Sequence, residues 1–423
     1  MIAKKRSSLK SEKLSLLRLR MHSESNGSDG FLTELYQEEP EHITPAPKVE
    51  FRPWHKPRKH WVRKNQWQSE SVALIDLLGL ASKGRPLTYV SLPGPDLLDV
   101  RAIHEVCLEK EIPLQFLGFM SPNPSDEIEL NISNDEVMRL PNVDARSSIL
   151  LEDFESLADA SSVGFTRFQG VGSFDVVNID LCHSFGAHPP EKSETYYKAI
   201  HRIIDSQRSR RPPNEPWIMF LTTRANVATV NADAKGQFLD CLIANVQSHS
   251  NVRDIVSQAL SLTEQDLLEL RDSNKSVENF EEVFAAAVGK WLLKLMGTGA
   301  PQGTIELLPT SCTYGIRSPK SKDMLSLGFI FKTNISSPVD PTNLSSASTV
   351  SVGITAEPDA ACDLIRGIPL MDNVDTLLLS EEGAYERMAL EAAELMRIAR
   401  FDYDGYMVKV NEWPECPAKC SVS

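Results

Sequence analysis

The stretch FDVVNIDLCHSFG, residues 174–186, constrains the fold more than any other part of the sequence. Its apolar residues run almost without interruption before the chain becomes polar and reaches glycine, which is typical of a strand buried on both faces of a parallel sheet. Asp180 falls where this strand ends. Because the ligand crevice of an open α/β sheet lies outside the carboxyl ends of the strands, Asp180 is predicted to line such a crevice. The alternative is that Asp180 only caps the following turn or helix.

Apolar runs of the same kind recur along the chain and alternate with helical patterns. They predict five strands, LTYVSL, LQFLGFM, SSILLEDF, FDVVNID and WIMFLTTR, at 87–92, 114–120, 147–154, 174–180 and 217–224. Strands that alternate with helices imply right-handed βαβ units and a doubly wound, mostly parallel sheet. Within this α/β sheet we expect 87–92 and 174–180 to be adjacent central strands.

The second half of the chain departs from this alternation. Residues 234–298 have helical patterns throughout, which predicts a helical insertion. Two late strands are predicted, the first around 314–318 plus 324–334 and the second at 348–356, with a Ser/Pro/Asn-rich loop between them. An amphipathic helix over 384–401 precedes a short tail. The sequence therefore predicts seven strands in one sheet, with a late antiparallel pair.

Charge is unevenly distributed along the chain. Residues 1–64 hold 14 Lys/Arg and 8 Asp/Glu, which leaves 30 and 50 for the rest of a chain whose net charge is −14. An acidic body argues against nonspecific binding of nucleic acid over the whole surface. Residues 1–50 are predicted to be an arm that is flexible or ordered by a partner, with one amphipathic helix over 9–21.

The segment FRPWHKPRKHWVRKNQW, residues 51–67, interleaves cations with aromatic residues. Cations contact phosphates and aromatic faces stack on bases, so this segment is the candidate for nucleic-acid binding. The alternative is that its tryptophans pack it onto the domain while the cations lie on its exposed side. The candidate phosphate-binding residues are Arg52, Lys56, Arg58, Lys59, Arg63 and Lys64. A helix is predicted to follow, with Ser69 as its N-cap.

The sequence predicts a cytoplasmic protein. Its basic N-terminus lacks the apolar core and cleavage site of a signal peptide, and no window of about 18 apolar residues predicts a membrane span. Its seven cysteines follow no regular spacing, which is typical of free thiols in a reducing compartment. Cys416 and Cys420 would supply half a zinc site or be spare thiols; we expect no metal.

The five strand–helix units and the late antiparallel pair resemble the class I S-adenosylmethionine-dependent methyltransferase fold. Within it the chain most resembles the three-Cys-motif partner proteins. The likeness rests on TYVSLPGP, FDVVNIDLCHSFG and PWIMFLTTRAN, at 88–95, 174–186 and 216–226. It implies a methyltransferase-like domain at 68–356, preceded by the arm and the basic segment and followed by a C-terminal helix and tail at 357–423. Because such relatives tend to occur with prokaryotic antiphage defence proteins, the resemblance also implies a role in a larger assembly in that setting.

The resemblance also implies a site at the strand ends. Its cofactor-binding residues would be Ser91, Gly94, Asp96, Asp153 and Asp180, and its catalytic side chains would be Asp180 and His183. Three departures from the family pattern weaken that site. Ser91 replaces the first acid, and Pro93 and Pro95 flank Gly94, where they fix φ and remove N–H donors.

The other two departures lie after the second and fourth strands. SPNP at 121–124 offers no carboxylate for a ribose, and Asp180 is followed by Leu181 and Cys182 instead of proline and an aromatic residue. Cys182 and His183 are adjacent, but neighbours on an extended segment point to opposite sides, so a nucleophile pair competes with a plain thiol beside a polar turn.

These departures predict a degenerate site without cofactor, in a methyltransferase-like scaffold or nucleic-acid-associated subunit. The alternative is an active RNA or DNA methyltransferase that binds S-adenosylmethionine. Carboxylates that would compensate for the missing acids are Asp96, Asp99, Asp126 and Asp153.

Overall fold

The computed structural model describes residues 46–121, 123–193, 195–273, 277–298, 301–315, 323–333 and 356–413. Three predictions fall on other residues: the arm over 1–50 except its last five residues, most of the strand at 348–356, and the thiols of Cys416 and Cys420. They lie outside the described residues.

The described residues contain a nine-stranded sheet. Its strands are β1 (Leu87–Ser91), β2 (Leu114–Phe119), β3 (Ser148–Leu150), β4 (Val176–Asp180), β5 (Trp217–Arg224), β6 (Gly303–Leu307), β7 (Cys312–Tyr314), β8 (Met324–Thr333) and β9 (Asp372–Asn373). Their order is β3-β2-β1-β4-β5-β8-β7-β9, and β6 pairs with β8.

The first five strands are parallel, as the alternation of strands and helices predicts. β1 pairs in parallel with β2 on one side and with β4 on the other, which confirms the predicted central pair. β4 pairs in parallel with β5, and β8 pairs antiparallel to β5. The predicted α/β architecture, with a doubly wound and mostly parallel sheet, is therefore confirmed.

The predicted count of seven strands is wrong, because β6 and β9 are not predicted from the sequence. β6 follows directly on a long helical region and exposes Glu306, so its apolar pattern is weak. β9 has two residues, too few for any periodicity to show. Of the segment predicted at 314–318, Tyr314 is the last residue of β7, which pairs with β8. Residues 316–318 lie outside the described residues.

Helices pack against both faces of the sheet. Their bounds are α1 Pro57–Val62, α2 Ser69–Leu78, α3 Leu80–Lys83, α4 Leu98–Glu109, α5 Pro124–Met138, α6 Val163–Val171, α7 Tyr196–Arg210, α8 Ala232–Ser248, α9 Ser250–Leu260, α10 Glu264–Asp272, α11 Phe280–Thr298, α12 Glu357–Gly367, α13 Val374–Ser380, α14 Ala384–Ile398 and α15 Tyr403–Glu412. None of these described helices has the length and apolarity needed to cross a bilayer.

The helix that contains Ser69 begins earlier than predicted. A π-helical segment, Arg63–Gln68, joins α1 to α2, so the chain is helical from Pro57 to Leu78. Ser69 has helical neighbours on both sides and is not an N-cap, which corrects the prediction. The N-cap signal failed because Ser and Thr also occur inside helices whose preceding turn is held by tertiary packing.

Alternating side chains of the strands divide the core into two clusters. Along β1, Val90 belongs to one cluster while Leu87 and Tyr89 belong to the other. The predicted helical insertion, α8 to α11, contributes its apolar residues to the first cluster. The segment before α2 and the C-terminal helices α14 and α15 contribute theirs to the second. The two ends of the described chain therefore share one face of the sheet.

Asp175 ties the amino end of the sheet together. Its side chain is fully buried; Oδ2 accepts hydrogen bonds from the amide and hydroxyl of Thr88, both at 2.9 Å. Oδ1 accepts from Arg211 at 2.9 Å and from Arg85 at 3.1 Å. Because the side chain of Arg211 is only 3% exposed, each charge depends on the other for its solvation.

We expect Asp175→Ala to lower the free energy of unfolding by about 3–5 kcal/mol, because it leaves the Arg211 charge buried without its carboxylate. The matched control is Glu394→Ala, which removes one partner of the exposed Arg397 pair and should cost less than about 1 kcal/mol. Urea unfolding of both variants measures the difference. Equal effects would show that the Asp175 cluster contributes no more than a surface ion pair.

Candidate functional site

The carboxyl ends of β1, β4 and β5 meet at one edge of the sheet, where the ligand crevice of such a fold lies. Asp180 ends β4 and lies opposite Thr222 of β5. Ser91 ends β1, beside Asn178 of β4, and Arg224 ends β5. The predicted position of Asp180, at a strand end on this edge, is therefore what the structure has.

The basic segment closes this edge over Asp180. We use the name plug for residues 51–68, which comprise the short 3₁₀ turn Pro53–His55, α1 and the π-helical segment. From the plug, Lys59 Nζ donates to Asp180 Oδ1 at 2.6 Å. The Lys59 side chain is 5% exposed, and its Nζ lies 4.6 Å from the centroid of the Trp67 ring. A lysine of the chain itself thus neutralises the carboxylate at the strand end.

Two more cations of the plug lie inside the protein. The guanidinium of Arg58 donates to the carbonyl of Gly315, and its Nη2 lies 3.2 Å from Asp375 Oδ1. Arg63 Nη2 donates to the carbonyl of Trp54 at 3.0 Å, which closes the plug on itself. Both arginines are at most 5% exposed.

The six predicted phosphate-binding residues are therefore divided between the interior and the surface. Arg58, Lys59 and Arg63 are buried, so their charges serve contacts within the chain. Of the other three, Arg52 pairs with Glu50 at 2.9 Å, Lys64 lies 3.6 Å from Glu391, and Lys56 Nζ lies 5.5 Å from the centroid of the Trp413 ring. The packing alternative is also incomplete, because it places every cation outside. Binding of nucleic acid stays a prediction.

Burial governs the electrostatics of the plug. It lowers the pKa of Lys59, while the nearby carboxylate of Asp180 acts to raise it. It also lowers the pKa of Arg63, against the charges of Asp180 and Asp99. The same burial raises the pKa of Tyr314, whose hydroxyl lies 3.4 Å from Lys59 Nζ. The charges in this layer are held by one another, with little help from water.

A series of buried hydrogen bonds links β4, β1 and α4 through Asn178, Tyr89 and Asp99. Asn178 Nδ2 donates to Tyr89 Oη at 2.8 Å, and Tyr89 Oη donates to Asp99 Oδ2 at 3.0 Å. Burial raises the pKa of the Asp99 carboxyl, and the charge of Asp180 acts in the same direction. Asp99, one of the predicted compensating carboxylates, is thus engaged inside the protein.

The residues predicted to bind the cofactor have separate surroundings and do not contact one group of neighbours. Asp96 accepts a hydrogen bond from Lys48 Nζ at 2.6 Å and lies 3.6 Å from His55 Nε2. Burial acts to raise its pKa, but the nearby His55 and Lys48 hold it below its usual value. Ser91 is buried, Gly94 is exposed with open space around it, and Asp153 is exposed before the 3₁₀ turn Phe154–Ala158.

A small pocket remains beside Asp180. Its volume is about 100 Å³, and its walls are formed by Pro53, Trp54, Arg58, Lys59, Asp180, Leu181, Cys182, Arg224, Tyr314, Gly315 and Met324. Of the five predicted cofactor residues only Asp180 lines it. Pockets for drug-sized ligands and cofactors measure about 300–1,000 Å³, so the volume here suits a much smaller molecule.

Cys182 and His183 separate as the extended backbone predicts. Cys182 lines the pocket, and burial together with the charge of Asp180 raises the pKa of its thiol. His183 lies outside the lining; its Nε2 is 3.2 Å from Tyr196 Oη, and burial lowers its pKa. They do not form a nucleophile pair. An activated cysteine has a lowered thiol pKa, whereas that of Cys182 is raised.

Arg224, Tyr314, Gly315 and Met324 line this pocket although the sequence does not predict them as site residues. Arg224 could have been found by the argument used for Asp180, because it too ends a central strand. Tyr314 and Gly315 belong to β7 and the residue after it, whose pairing with β8 has no clear sequence signal.

The residues present do not fit S-adenosylmethionine. The two predicted acids that are not exposed, Asp96 and Asp180, are bound to cations of the chain. Pro93, in the loop after β1, packs closely on Gly118 of β2. A Cβ atom built on Gly118 would lie 2.9 Å from Pro93 Cγ. Asp126, the first acid after β2, lies in the first turn of α5. In the described ranges no three His, Cys, Asp or Glu side chains are grouped to hold a metal.

No curated protein matches the sequence. Among solved structures, the crystal structure of the SAM-dependent methyltransferase from Agrobacterium tumefaciens is similar, at 11% sequence identity and a TM-score of 0.30. The match covers 64% of this chain and 61% of that one. A likeness this low carries no inference about activity.

A family model gives a longer match. The model described as PP_RS20740-like matches residues 48–411. That range includes the plug, the whole described sheet, helix α14 and all but the last residue of α15. It therefore extends beyond 68–356, the domain bounds predicted from the sequence. The chain belongs to the PP_RS20740-like family.

Proposed function

We propose that the protein is a methyltransferase-like scaffold whose strand-end crevice is filled by its own plug rather than by a cofactor. The observation that carries this proposal is the Lys59–Asp180 ion pair. Asp180 is the carboxylate on which both a substrate and a cofactor would depend, and it already has a buried cation as partner. Such a domain contributes a surface and a shape to an assembly rather than a reaction.

The cost of opening the crevice supports this proposal. A cofactor at Asp180 would have to displace Lys59, whose charge would then lose its carboxylate. Removing one partner of a buried pair costs about 3–5 kcal/mol, and the 23% exposure of the Asp180 side chain moderates that cost. Arg58 and Arg63 would be uncovered with it, since all three lie on adjoining turns of the plug.

The partner and the setting of the scaffold rest on the resemblance to the three-Cys-motif partner proteins. It favours a protein partner within a larger cytoplasmic assembly, with prokaryotic antiphage defence as the setting. An active S-adenosylmethionine-dependent RNA or DNA methyltransferase is the competing function. It requires the plug to leave the strand end before cofactor enters.

We expect isothermal titration of the full chain with S-adenosylmethionine to give no binding heat. We also expect no rise in melting temperature at millimolar cofactor, because the plug occupies the strand end. A ligand at 100 times its dissociation constant would stabilise the native state by about 2.7 kcal/mol, a shift that is easily detected.

Gly94→Trp is the control variant for this titration. Open space surrounds Gly94, so the Gly94→Trp variant should fold, and its indole ring would block any cofactor at this loop. A melting shift in the wild type that Gly94→Trp abolishes would establish the enzyme and refute the scaffold. Asp180→Ala is a second variant. Because this substitution itself unpairs Lys59 and changes stability, only the shift in its melting temperature on adding cofactor is compared with that of the wild type.

Two buried histidines lie where the plug meets the rest of the domain. His55 lies 3.6 Å from Asp96, and His60 Nε2 lies 3.6 Å from Glu391 of α14. Burial lowers the pKa of both imidazoles, and the cations nearby, Arg63 among them, act in the same direction. The two carboxylates only partly offset these effects.

This arrangement predicts that the domain loses stability on mild acidification. A histidine whose folded pKa lies below its unfolded value of about 6.5 gives its full contribution above that pH, and loses it as the pH falls through the folded pKa. We expect the urea midpoint to fall between pH 7 and pH 5, with up to about 1.4 kcal/mol per pH unit for each histidine.

The double variant His55→Gln, His60→Gln should show a smaller pH dependence over the same range. His201→Gln, a change on the exposed side of α7, should keep the dependence of the wild type. If the double variant also keeps it, the histidines of the plug are not responsible. Ordinary carboxylates titrate below pH 5. Asp99 and Glu155, whose pKa values burial raises, are present in every variant and so do not affect the comparison.

Nucleic acid stays a proposed partner, and the structure limits which cations are accessible to a phosphate. We expect Arg52→Gln, Lys56→Gln and Lys64→Gln together to leave the melting temperature unchanged, because none of the three is buried. If the wild type binds RNA or DNA, each cation that contacts a phosphate should, when substituted, reduce the slope of log K against log salt by about one unit. An unchanged slope would exclude this surface.

A further inference from the structure

The pocket beside Asp180 contains one cation that closure of the sheet edge does not use. Arg58 is paired with Asp375, and Lys59 with Asp180. Arg224 lines the same pocket. Within the described ranges its guanidinium has neither an ion pair nor a hydrogen bond, and its Nε is buried without a partner.

An unpaired guanidinium in such a position favours an anionic ligand. Because carboxylates of the chain offset the charges of Arg58 and Lys59, Arg224 leaves one positive charge in excess at the pocket wall. This excess occurs in a chain whose net charge is −14. The planar fork of a guanidinium matches the two oxygens of a carboxylate or phosphate. A partly dehydrated wall strengthens those hydrogen bonds.

The size and walls of the pocket limit the ligand. Its volume of about 100 Å³ is several times the roughly 10–15 Å³ that a cavity needs in order to hold one water molecule. That volume suits a group of a few heavy atoms. Apolar side chains, among them Trp54, Leu181 and Met324, form much of the remaining wall.

We propose that this pocket binds a small oxyanion, a carboxylate or a phosphate monoanion, through Arg224. Cys182 lies on the wall beside it, close enough for the charge of Arg224 to act on the thiol. The oxyanion is either a free ion or the end group of a larger molecule that extends from the mouth of the pocket. This inference goes beyond the scaffold and does not depend on it.

Calorimetric titration of the full chain with sodium phosphate and with sodium acetate, at constant ionic strength, tests the site. We expect one ion per chain for at least one of the two. Arg224→Gln should weaken that binding by about 10- to 100-fold, because it removes a charged hydrogen-bonding partner. Arg224→Lys, which keeps the charge without the fork, should fall between.

Arg253→Gln is the matched control, because Arg253 is a half-exposed arginine on α9, away from the pocket lining. It should bind the ion as the wild type does. Absence of binding of both ions by the wild type, or equal affinity in Arg224→Gln, overturns the proposal. Arg224→Gln should fold, because the guanidinium of Arg224 has no partner in the described part of the chain.

The thiol of Cys182 gives a readout that is independent of stability. The neutral reagent N-ethylmaleimide should modify Cys182 more slowly in saturating phosphate or acetate, as followed by mass spectrometry of its peptide. Arg224→Gln should lose this protection and Arg253→Gln should keep it. An unchanged rate in the wild type with the ion bound would place the ion elsewhere and overturn the proposal.

Phenyl phosphate distinguishes the two sources of the oxyanion. Tighter binding than inorganic phosphate, with the same dependence on Arg224, supports an end group whose apolar part lies against the aromatic wall. Equal or weaker binding with that dependence supports a free ion. The titration with S-adenosylmethionine uses a different ligand, so failure of one proposal leaves the other testable.

Discussion

The ion pair between Lys59 and Asp180 is the contact on which the closed sheet edge depends. A lysine is buried only when its charge is compensated, and burial lowers the pKa of Lys59 even with its partner present. The carboxylate, in turn, ends a central parallel strand, where a ligand would otherwise lie. Each charge makes the position of the other tolerable. The plug can enter the interior because the strand end supplies an anion.

The strands of the first half could be predicted because burial on both faces leaves an uninterrupted apolar run. β1, β2 and β5 begin and end within one residue of the prediction, and β4 begins two residues late because Asp175 forms the buried ion cluster before it. The prediction failed where pairing is short or one-sided. β6 and β9 have too few buried positions for a period to show, and the N-cap at Ser69 failed because tertiary packing carries the helix through it.

The candidate site was predictable in one half only. A strand end is a local feature with a topological consequence, so Asp180 could be placed at the crevice from its own surroundings. Its partner could not, because Lys59 lies 121 residues earlier. No local pattern distinguishes a lysine that will be buried from one that faces solvent. The cations of the plug suggested a nucleic-acid surface for that reason, although Arg58, Lys59 and Arg63 face inward.

The C-terminal helices decide whether the plug is a movable lid or part of the domain. Tyr406 of α15 donates to the carbonyl of His55 at 2.6 Å, and α14 packs against α1 through the contact of His60 with Glu391. The plug is therefore held between the strand end on one side and two helices on the other, and all lie within the range matched by the family model. Segments that open readily have few buried contacts, whereas this one has buried charges on one side and buried rings on the other. The geometry thus favours a permanent closure, and a small ligand that enters beside the plug, at Arg224, over a large one that must displace it.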